Sequence, residues 1–320
     1  MIRVALCLAA LAGLGPAAAK VAEAYHLIPG SYVANRGPDG NSIFLDAPKG
    51  LILIDTGRHP EHRDKLLAYA KSRGRPIAAI INTHWHYDHT TGNGEILAVY
   101  PAAEVVASNA VDGPMYADFM AQSRAGTKAY VASGKATPSQ MLEIERALKL
   151  MDDPSALRSN KPVVRSGMRE IAGRKLDLRL ESFAVTEGDV WVYDPKTKTA
   201  FVGDLVVAPM PFMDSACPEG WAEALRRISA TPWRTLVPGH GEPMNRVQFD
   251  AWHQAFTRFT DCGRSEAAIS ECAAGWVRDA AQFIPEGDEA RMLETAEYYA
   301  QLRYRLPKEK GRFCPKPPPV

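Results

Sequence analysis

Three histidines and one aspartate lie within six residues of the chain, at His84, His86, Asp88 and His89. They closely follow residues 76–82 (PIAAIIN), an apolar run typical of a strand that is buried on both faces. Imidazole nitrogens and carboxylate oxygens bind Zn²⁺ at about 2.0–2.2 Å, and side chains in a loop at a strand end can converge on one ion. Because burying these groups without a metal would cost free energy, the segment predicts a metal site with zinc as the expected ion.

Aromatic side chains near these candidate ligands predict the lining of a substrate pocket. Trp85 and Tyr87 lie between the ligands, and Phe212 belongs to residues 208–213 (APMPFM), an apolar loop stiffened by prolines. Pockets for small molecules are lined mainly by apolar and aromatic side chains around a few polar groups. The alternative for all three aromatics is ordinary packing, in the case of the loop against residues 110–174.

The sequence around these histidines resembles the H-x-H-x-D-H signature of the metallo-β-lactamase superfamily. Three further motifs of that family are matched in the same order: Asp55 in LIDTG, Asp204 in a Gly-Asp pair, and His240 in PGHG. The resemblance covers about residues 25–259. It implies an α/β fold, the αββα metallo-β-lactamase sandwich, with metal ions at one edge.

The resemblance also implies two neighbouring metal positions. The first would use His84, His86 and a share of Asp204, and the second would use Asp88, His89 and His240, with Asp204 as a bridge. Asp55 is implied as the hydrogen-bond acceptor that orients one of the ligand histidines, a role that tunes metal affinity. The alternative for Asp55 is a structural cap at the end of a strand.

One motif departs from the family pattern and weakens the first metal position. Where the family has Gly-His-Thr-x-Gly-Asp, residues 184–189 read AVTEGD, so Val185 stands in place of a ligand histidine. Because valine has no lone pair to offer, we expect one tightly bound Zn²⁺ at the second position and a weak or empty first position. Cys217, in the loop after Asp204, could approach the site, but an oxidising location favours it as a disulfide partner.

The first 19 residues predict a secretory signal peptide. Arg3 is followed by an apolar run at residues 4–15 and by an A-x-A cleavage site at residues 17–19. About a dozen apolar residues are too few to span a bilayer. The expected location is periplasmic or secreted, and no membrane attachment is expected after cleavage, since no later stretch approaches membrane-spanning length.

Four cysteines remain after the predicted cleavage: Cys217, Cys262, Cys272 and Cys314. An oxidising compartment favours disulfides over free thiols. Cys262 and Cys272 are close enough in sequence to join a helical hairpin, and Cys217 with Cys314 would hold the tail. Four cysteines can pair in three ways, and the sequence alone does not choose between them.

Strand and helix patterns alternate in both halves of the chain, which predicts a layered α/β architecture with mixed sheets. Strands are predicted at about 24–28, 31–35, 42–46, 51–55, 76–82, 104–108, 176–183, 189–193, 200–203 and 235–237, and helices at 60–72, from 93, and at 219–228, 246–259 and 265–305. Residues 20–260 are expected to form the sandwich domain, with a helical insertion at about 110–174. Residues 261–320 are expected to form a helical C-terminal extension that ends in a proline-rich tail.

The composition excludes several classes of protein. The 320 residues are 46% hydrophobic and 23% charged, which are ordinary values for a globular protein rather than a disordered one. The 38 lysine and arginine residues balance 37 aspartate and glutamate residues, so we expect no nucleic-acid partner. A small molecule is therefore the expected substrate, and the oligomeric state stays open.

Together these features predict an exported zinc-dependent hydrolase that acts on an ester, lactone, lactam or related bond. It would use a metal-bound hydroxide, with Asp88 as ligand and orienting group. The second interpretation is a metal-binding pseudoenzyme or a periplasmic accessory protein, for which Val185 is the main support. The retention of every ligand of the second position favours the hydrolase.

Overall fold

Two five-stranded sheets and one two-stranded hairpin form the framework of residues 24–33 and 36–315, the part of the chain that the computed structural model describes. The strands are β1 (His26–Ile28), β2 (Tyr32–Val33), β3 (Gly37–Pro38), β4 (Ser42–Ala47), β5 (Gly50–Ile54), β6 (Ile77–Ile81), β7 (Glu104–Val106), β8 (Gly167–Ile171), β9 (Arg174–Ser182), β10 (Gly188–Asp194), β11 (Thr199–Phe201) and β12 (Thr235–Val237). The first sheet has the order β1-β4-β5-β6-β7, the second β12-β11-β10-β9-β8, and β2 pairs with β3. Each large sheet contains parallel and antiparallel neighbours, as predicted.

Helices connect these strands. They are α1 (Pro60–Arg73), α2 (Tyr87–Thr90), α3 (Asn93–Val99), α4 (Pro114–Ala132), α5 (Pro138–Asp152), α6 (Pro218–Ala230), α7 (Arg246–Arg264), α8 (Ile269–Asp279) and α9 (Glu289–Ala300). Shorter 3₁₀ turns span Ala110–Asp112, Pro154–Leu157, Gly203–Leu205 and Ala281–Phe283, and a π-helical turn spans Gln301–Arg305. Proline opens α1, α4, α5 and α6, where its fixed φ suits the first helical position and its missing N–H removes no hydrogen bond.

The described residues contain four apolar clusters, of which three form layers that alternate with the sheets and the fourth joins Trp85 to α4. One cluster fills the space between the sheets, with Ile81 of the first sheet and Val192 of the second among its members. The outer face of the first sheet packs on α1 and α3, and that of the second sheet packs on α6 to α9. Ile80 belongs to the outer cluster while its neighbour Ile81 belongs to the inner one, which explains why β6 is apolar throughout. The predicted αββα sandwich is confirmed.

Two segments differ from the predicted elements. Within the stretch expected to be helical, Gly167–Ile171 forms β8, an edge strand that pairs with β9. The sequence does not indicate this strand, because Ile171 is its only buried residue and the usual alternation of apolar and polar residues is absent. The C-terminal region is not one continuous helix either: α8 and α9 are separated by residues 280–288, where Pro285 lacks the N–H that a helix interior needs.

Two disulfides hold the C-terminal region, Cys217–Cys314 and Cys262–Cys272. The first joins the end of the chain to the residue before α6, and the second joins α7 to α8. The predicted signal peptide and residues 316–320 of the proline-rich tail lie outside the described residues. Among the helices of the described part, none has the length and apolar character needed to cross a bilayer.

Candidate metal centre

The structure brings the six predicted ligands together at one edge of the sandwich: His84, His86, Asp88, His89, Asp204 and His240. The first four follow β6, two of them on α2, while the other two follow β11 and β12. β5 and β6 of the first sheet are a parallel pair, as are β11 and β12 of the second, so the carboxyl ends of each pair lie together at one end of its own sheet. The short distances from His89 to Asp204 and His240 show that these two ends face each other. Side chains far apart in sequence therefore converge.

Glycines allow the loops to close around this edge. A Cβ atom on Gly239 would lie 2.1 Å from Oδ1 of Asp204, and one on Gly40 would lie 2.3 Å from the ring of His89. Real Cβ atoms do not approach other atoms so closely, so a larger residue at either position would displace a candidate ligand.

Four side chains form the second predicted position, with one ligand atom from each lying within 4.8 Å of the others. Nε2 of His89 lies 3.0 Å from Oδ1 of Asp204 and 3.3 Å from Nε2 of His240. Nε2 of His240 lies 3.1 Å from Oδ2 of Asp88. The nitrogens and oxygens that bind metals therefore face one another rather than the surrounding protein.

The first predicted position is sparser. His84, His86 and Asp204 supply one ligand atom each within 4.8 Å, and Nε2 of His84 lies 3.6 Å from Oδ2 of Asp204. The two carboxylate oxygens of Asp204 thus turn towards different positions, Oδ2 to His84 and Oδ1 to His89. This arrangement fits a carboxylate that bridges two ions.

The pattern of unsatisfied atoms fits a bound cation. Nε2 of His84 and both carboxylate oxygens of Asp204 are buried and have no hydrogen-bond partner among the described residues. Buried polar atoms without partners cost about 1–3 kcal/mol each, and more when charged. A divalent ion with borderline ligand preference, such as Zn²⁺, would satisfy all three.

The electrostatics of the cluster favour the metal-binding forms of His84 and Asp204 but not that of His89. Burial lowers the pKa of His84 well below its usual value, so this imidazole is neutral at pH 7. Burial alone would raise the pKa of Asp204, but the neighbouring His89 and His240 outweigh it and hold the pKa of this carboxyl below its usual range. A neutral imidazole and an ionised carboxylate are the ligand forms that zinc requires. Burial alone would lower the pKa of His89, but the carboxylates of Asp204, Asp88 and Asp55 outweigh it and raise the pKa well above its usual value, so a metal ion would have to displace a proton from this imidazole.

Asp55 contacts the cluster from behind. Its Oδ2 lies 2.8 Å from Nδ1 of His89, and its carboxylate also accepts hydrogen bonds from the backbone N–H and the hydroxyl of Thr83. When the Nδ1–H group of His89 donates a hydrogen bond to Asp55, Nε2 carries no proton, and its lone pair faces the centre of the ligand cluster. The contacts fit both roles considered for Asp55, as an orienting group and as a cap at the end of β5.

We expect Asp55→Asn to weaken zinc binding by about 10- to 100-fold. The amide either accepts more weakly than the carboxylate or donates to Nδ1, which moves the imidazole proton to Nε2 and blocks the lone pair. Competition with a chromophoric chelator measures the affinity. Asp39→Asn is the matched control, because Oδ2 of Asp39 lies 2.8 Å from Nδ1 of His59 in a buried pair outside the cluster. Equal losses in the two variants would contradict the orienting role.

Ser215 lies beside His86, and the sequence did not indicate it as a residue of the site. The hydroxyl of Ser215 donates to the backbone oxygen of Val185 at 2.8 Å and lies 2.7 Å from Nε2 of His86. Because its proton is used on Val185, an oxygen lone pair of Ser215 remains for His86 or for an ion bound there. The side chain of Val185 itself is fully buried in the apolar cluster on the outer face of the second sheet.

The three aromatic pocket candidates all line a cavity of about 690 Å³ beside the cluster. The ring of Phe212 lies 5.3 Å from that of His240, and the hydroxyl of Tyr87 lies 3.0 Å from Sδ of Met120. Trp85 is almost fully buried and packs against Phe119 of α4. Both alternatives considered from the sequence, cavity lining and packing, therefore apply to Trp85.

Comparison with known proteins gives a consistent picture. The family model described as "Metallo-beta-lactamase superfamily" matches residues 36–240. The linear primary-alkylsulfatase of a Pseudomonas species is 26% identical over 230 residues, which cover 63% of this chain and 41% of the relative. The atrochrysone carboxyl ACP thioesterase of Emericella nidulans is 35% identical over 68 residues, covering 21% of this chain and 22% of the relative. The matched regions thus span less than half the length of either relative.

Two solved structures share the fold. A metallo-beta-lactamase from Pontibacter korlensis superposes with a TM-score of 0.52 at 20% identity, covering 74% of this chain and 95% of that protein. A metallo beta lactamase from Hirschia baltica gives a TM-score of 0.50 at 18% identity, with coverages of 72% and 91%. At these identities the likeness concerns the fold alone.

Proposed function

The chain belongs to the metallo-β-lactamase superfamily, and from this premise we propose that it is an exported zinc-dependent hydrolase acting on an ester, lactone, lactam or related bond of a small molecule. One observation carries the proposal: in the described part of the chain, Nε2 of His84 and both oxygens of Asp204 are buried and make no hydrogen bond, and the charged groups nearest to these oxygens are the candidate ligand histidines. A hydrolase of this kind needs such a set of unpaired ligand atoms beside a cavity. The similarity to an alkylsulfatase and a thioesterase supports hydrolysis in general.

In this proposal the side chains of the cluster hold the ions and the substrate in place. His84, His86 and Asp204 would hold the first ion, and Asp88, His89, His240 and Asp204 the second. A bound zinc ion polarises a substrate oxygen and lowers the pKa of a coordinated water to near 7. Asp88 lines the cavity, and we assign it the role of accepting a hydrogen bond from the attacking water. Phe212 and Trp85 keep bulk water away from the reacting bond.

Metal content tests the asymmetry of the two positions. We expect about one tightly bound zinc per chain, with a second ion held weakly, because a neutral hydroxyl is a poorer zinc ligand than an imidazole. Val185→His should raise the content towards two, and Ser215→Ala should further weaken the ion at the first position, which is the weakly held one. Mass spectrometry of metal and protein after dialysis measures both effects. Ser42→Ala is the control, since Ser42 lies 2.8 Å from Nε2 of His62 away from the cluster. Two tightly held ions in the unchanged protein would contradict the asymmetry.

Export is the second element of the proposal. The N-terminal segment with an A-x-A site supports it, as do the two disulfides, because disulfides persist in oxidising compartments. The alternative is a metal-binding pseudoenzyme or a periplasmic accessory protein. Val185 is the observation in its favour, since it removes one ligand of the first position.

A panel of ester, lactone, thioester, β-lactam and phosphodiester substrates separates the two functions. For a hydrolase we expect turnover that is lost on chelation, restored by zinc, and lowered at least 1000-fold by Asp88→Ala. Loss of a group that contacts the reacting atoms is expected to have an effect of this size. Fully bound metal without turnover of any substrate would favour the binding protein.

A further inference from the structure

The cavity beside the metal centre has two walls of different origin. Its floor includes His86 and Asp88, and its opposite wall comes from α4 and α5, the helices of the predicted insertion. The volume of about 690 Å³ lies within the range of small-molecule sites. A ligand that fills the cavity would therefore contact the metal ligands at one end and the insertion along its length.

Apolar side chains make up more than half of the wall formed by α4 and α5, and the polar residues of this wall are Ser123, Thr127, Gln140 and Glu143. Phe119 and Met120 of α4 and Ile144 and Met151 of α5 face the cavity. The ring of Phe119 lies 6.1 Å from that of His86, so the apolar surface extends to the metal ligands. A hydrocarbon chain or ring is the ligand group that gains most from such a surface.

Gly126 leaves free space in the wall formed by α4. Gly126 lies in the middle of α4 and lines the cavity, and a Cβ atom placed there would meet no atom within 4 Å. Glycine in a helix interior costs about 1 kcal/mol relative to alanine. Since no neighbouring atom requires a glycine here, the space it leaves belongs to the cavity.

One positive charge in the cavity, that of Arg58, has no partner among the described residues. Two arginines line it, and Arg36 contacts the carboxylates of Glu61 and Glu143. Within the described residues, the guanidinium of Arg58 forms no ion pair and no hydrogen bond, although this residue is partly buried. A guanidinium in this state is suited to bind a carboxylate, sulfate or phosphate with two parallel hydrogen bonds.

We propose that the substrate is an amphiphilic anion, with an apolar chain held between α4 and α5 and one acidic group bound by Arg58. This inference rests on the proposed function, because it places the bond to be cleaved at the metal centre. For an ester, the hydroxyl of water joins the acyl carbon, the acyl C–O bond breaks, and the remaining proton goes to the departing alkoxide. The acidic group is not consumed in this step and serves only for recognition.

Kinetics with matched esters test the proposal. We would compare 4-nitrophenyl octanoate with the 4-nitrophenyl monoester of suberic acid, which has the same chain length and a terminal carboxylate, and use 4-nitrophenyl acetate as the short substrate. We expect the zinc-loaded protein to prefer the suberate ester at least tenfold in kcat/KM. Arg58→Gln should abolish this preference by lowering kcat/KM for the suberate ester to the level of the octanoate ester. Arg165→Gln, which removes an equal charge outside the cavity, should leave the preference intact.

A second pair of variants tests the apolar wall. Gly126→Leu should lower the octanoate rate at least tenfold relative to acetate, because the side chain occupies the space of the hydrocarbon. Gly275→Leu is the control, since Gly275 is also helical and has room for a Cβ but lies on α8 outside the cavity. An unchanged octanoate-to-acetate ratio in Gly126→Leu, or an unchanged charge preference in Arg58→Gln, would overturn the proposal.

Calorimetry separates the failure of this inference from that of the proposed function. Octanoate, octyl sulfate, octyl phosphate and octanol would be titrated into the zinc-loaded protein and into the Arg58→Gln variant. Tighter binding of at least one anion than of octanol, lost in Arg58→Gln, supports the ligand class even if no ester is cleaved, and shows which acidic group is preferred. Binding that does not depend on Arg58 overturns it even if esters are cleaved.

Discussion

Replacing Asp204 with alanine is expected to remove both metal ions and to lower turnover at least 1000-fold. Asp204 contributes to both candidate positions, since its Oδ2 faces His84 and its Oδ1 faces His89 and His240. Every other candidate ligand belongs to one position. The loss of this side chain should therefore affect metal content more than the loss of any single histidine.

Stability measurements distinguish this effect from misfolding. The oxygens of Asp204 make no hydrogen bond in the described residues and have only the candidate ligand histidines as close charged neighbours there, so the metal-free variant should fold and should lose less stability than a variant that breaks a hydrogen-bonded buried pair. The parent should gain about 4 kcal/mol of unfolding free energy when free zinc exceeds its dissociation constant 1000-fold. The variant should gain almost none. Unfolding in urea with and without zinc measures both quantities.

Asp194→Ala is the matched control and should behave in the opposite way. Asp194 is also buried, but it forms an ion pair with Arg174 at 2.6 Å and accepts a hydrogen bond from Thr197. Breaking a buried pair costs about 3 kcal/mol, so this variant should be less stable yet keep its zinc. If Asp204→Ala retained two ions, the bridging role would be wrong.

The sequence predicted the fold and the ligand cluster because the information for both is local. The segment at residues 84–89 follows an apolar strand whose length and composition are readable by themselves. Asp55, Asp204 and His240 each lie in short motifs next to a strand. The structure brings these segments together because the strands before them form one parallel pair in each sheet, and the carboxyl ends of the two pairs face each other across the sandwich.

Ser215 could not be found in the same way. It lies 129 residues from His86 in the chain, and its contact depends on the path of the loop between the 3₁₀ turn Gly203–Leu205 and α6. A serine carries no ligand signal by type, and no motif surrounds it. Val185 indicates from the sequence that an imidazole is missing from the first position. Which side chain lies beside His86 instead is decided by tertiary packing.

The residues that form the walls of the cavity could not be predicted from the sequence either. The amphipathic pattern of α5 predicts a helix with one apolar face, yet it does not say whether that face covers a core or a cavity. In the structure α5 has no fully buried residue, and Ile144 and Met151 face the cavity instead. Arg58 has no sequence signal either, because its lack of a partner depends on which carboxylates lie near Arg36.

The C-terminal extension fixes the loop that carries Phe212 and Ser215. The hydroxyl of Tyr299 donates to Asp214 at 2.9 Å, and Arg303 donates to the backbone oxygen of Asp214 at 2.9 Å. The disulfide Cys217–Cys314 holds the end of the same loop. Helices that are remote in sequence from the candidate metal ligands therefore position one wall of the cavity and the hydroxyl beside His86.

This arrangement predicts unequal effects for the two disulfides. Cys217 and Cys314 are 97 residues apart, whereas Cys262 and Cys272 are 10 residues apart. In the chain-entropy model, a loop of about 100 residues contributes about 4.7 kcal/mol of stability and a loop of about 15 residues about 3 kcal/mol. Urea unfolding should therefore show the larger loss for the double variant Cys217→Ser/Cys314→Ser.

The same double variant should also weaken the zinc ion at the first position, since it frees the loop that holds Ser215 against His86. Cys262→Ser/Cys272→Ser should leave zinc affinity unchanged, because that disulfide joins α7 to α8 and does not contact the loop. Equal stability losses would show that chain entropy does not set the difference. Unchanged zinc affinity in Cys217→Ser/Cys314→Ser would show that Tyr299 and Arg303 hold the loop without the disulfide, and the positioning of Ser215 would then depend on the hydrogen bonds of Asp214.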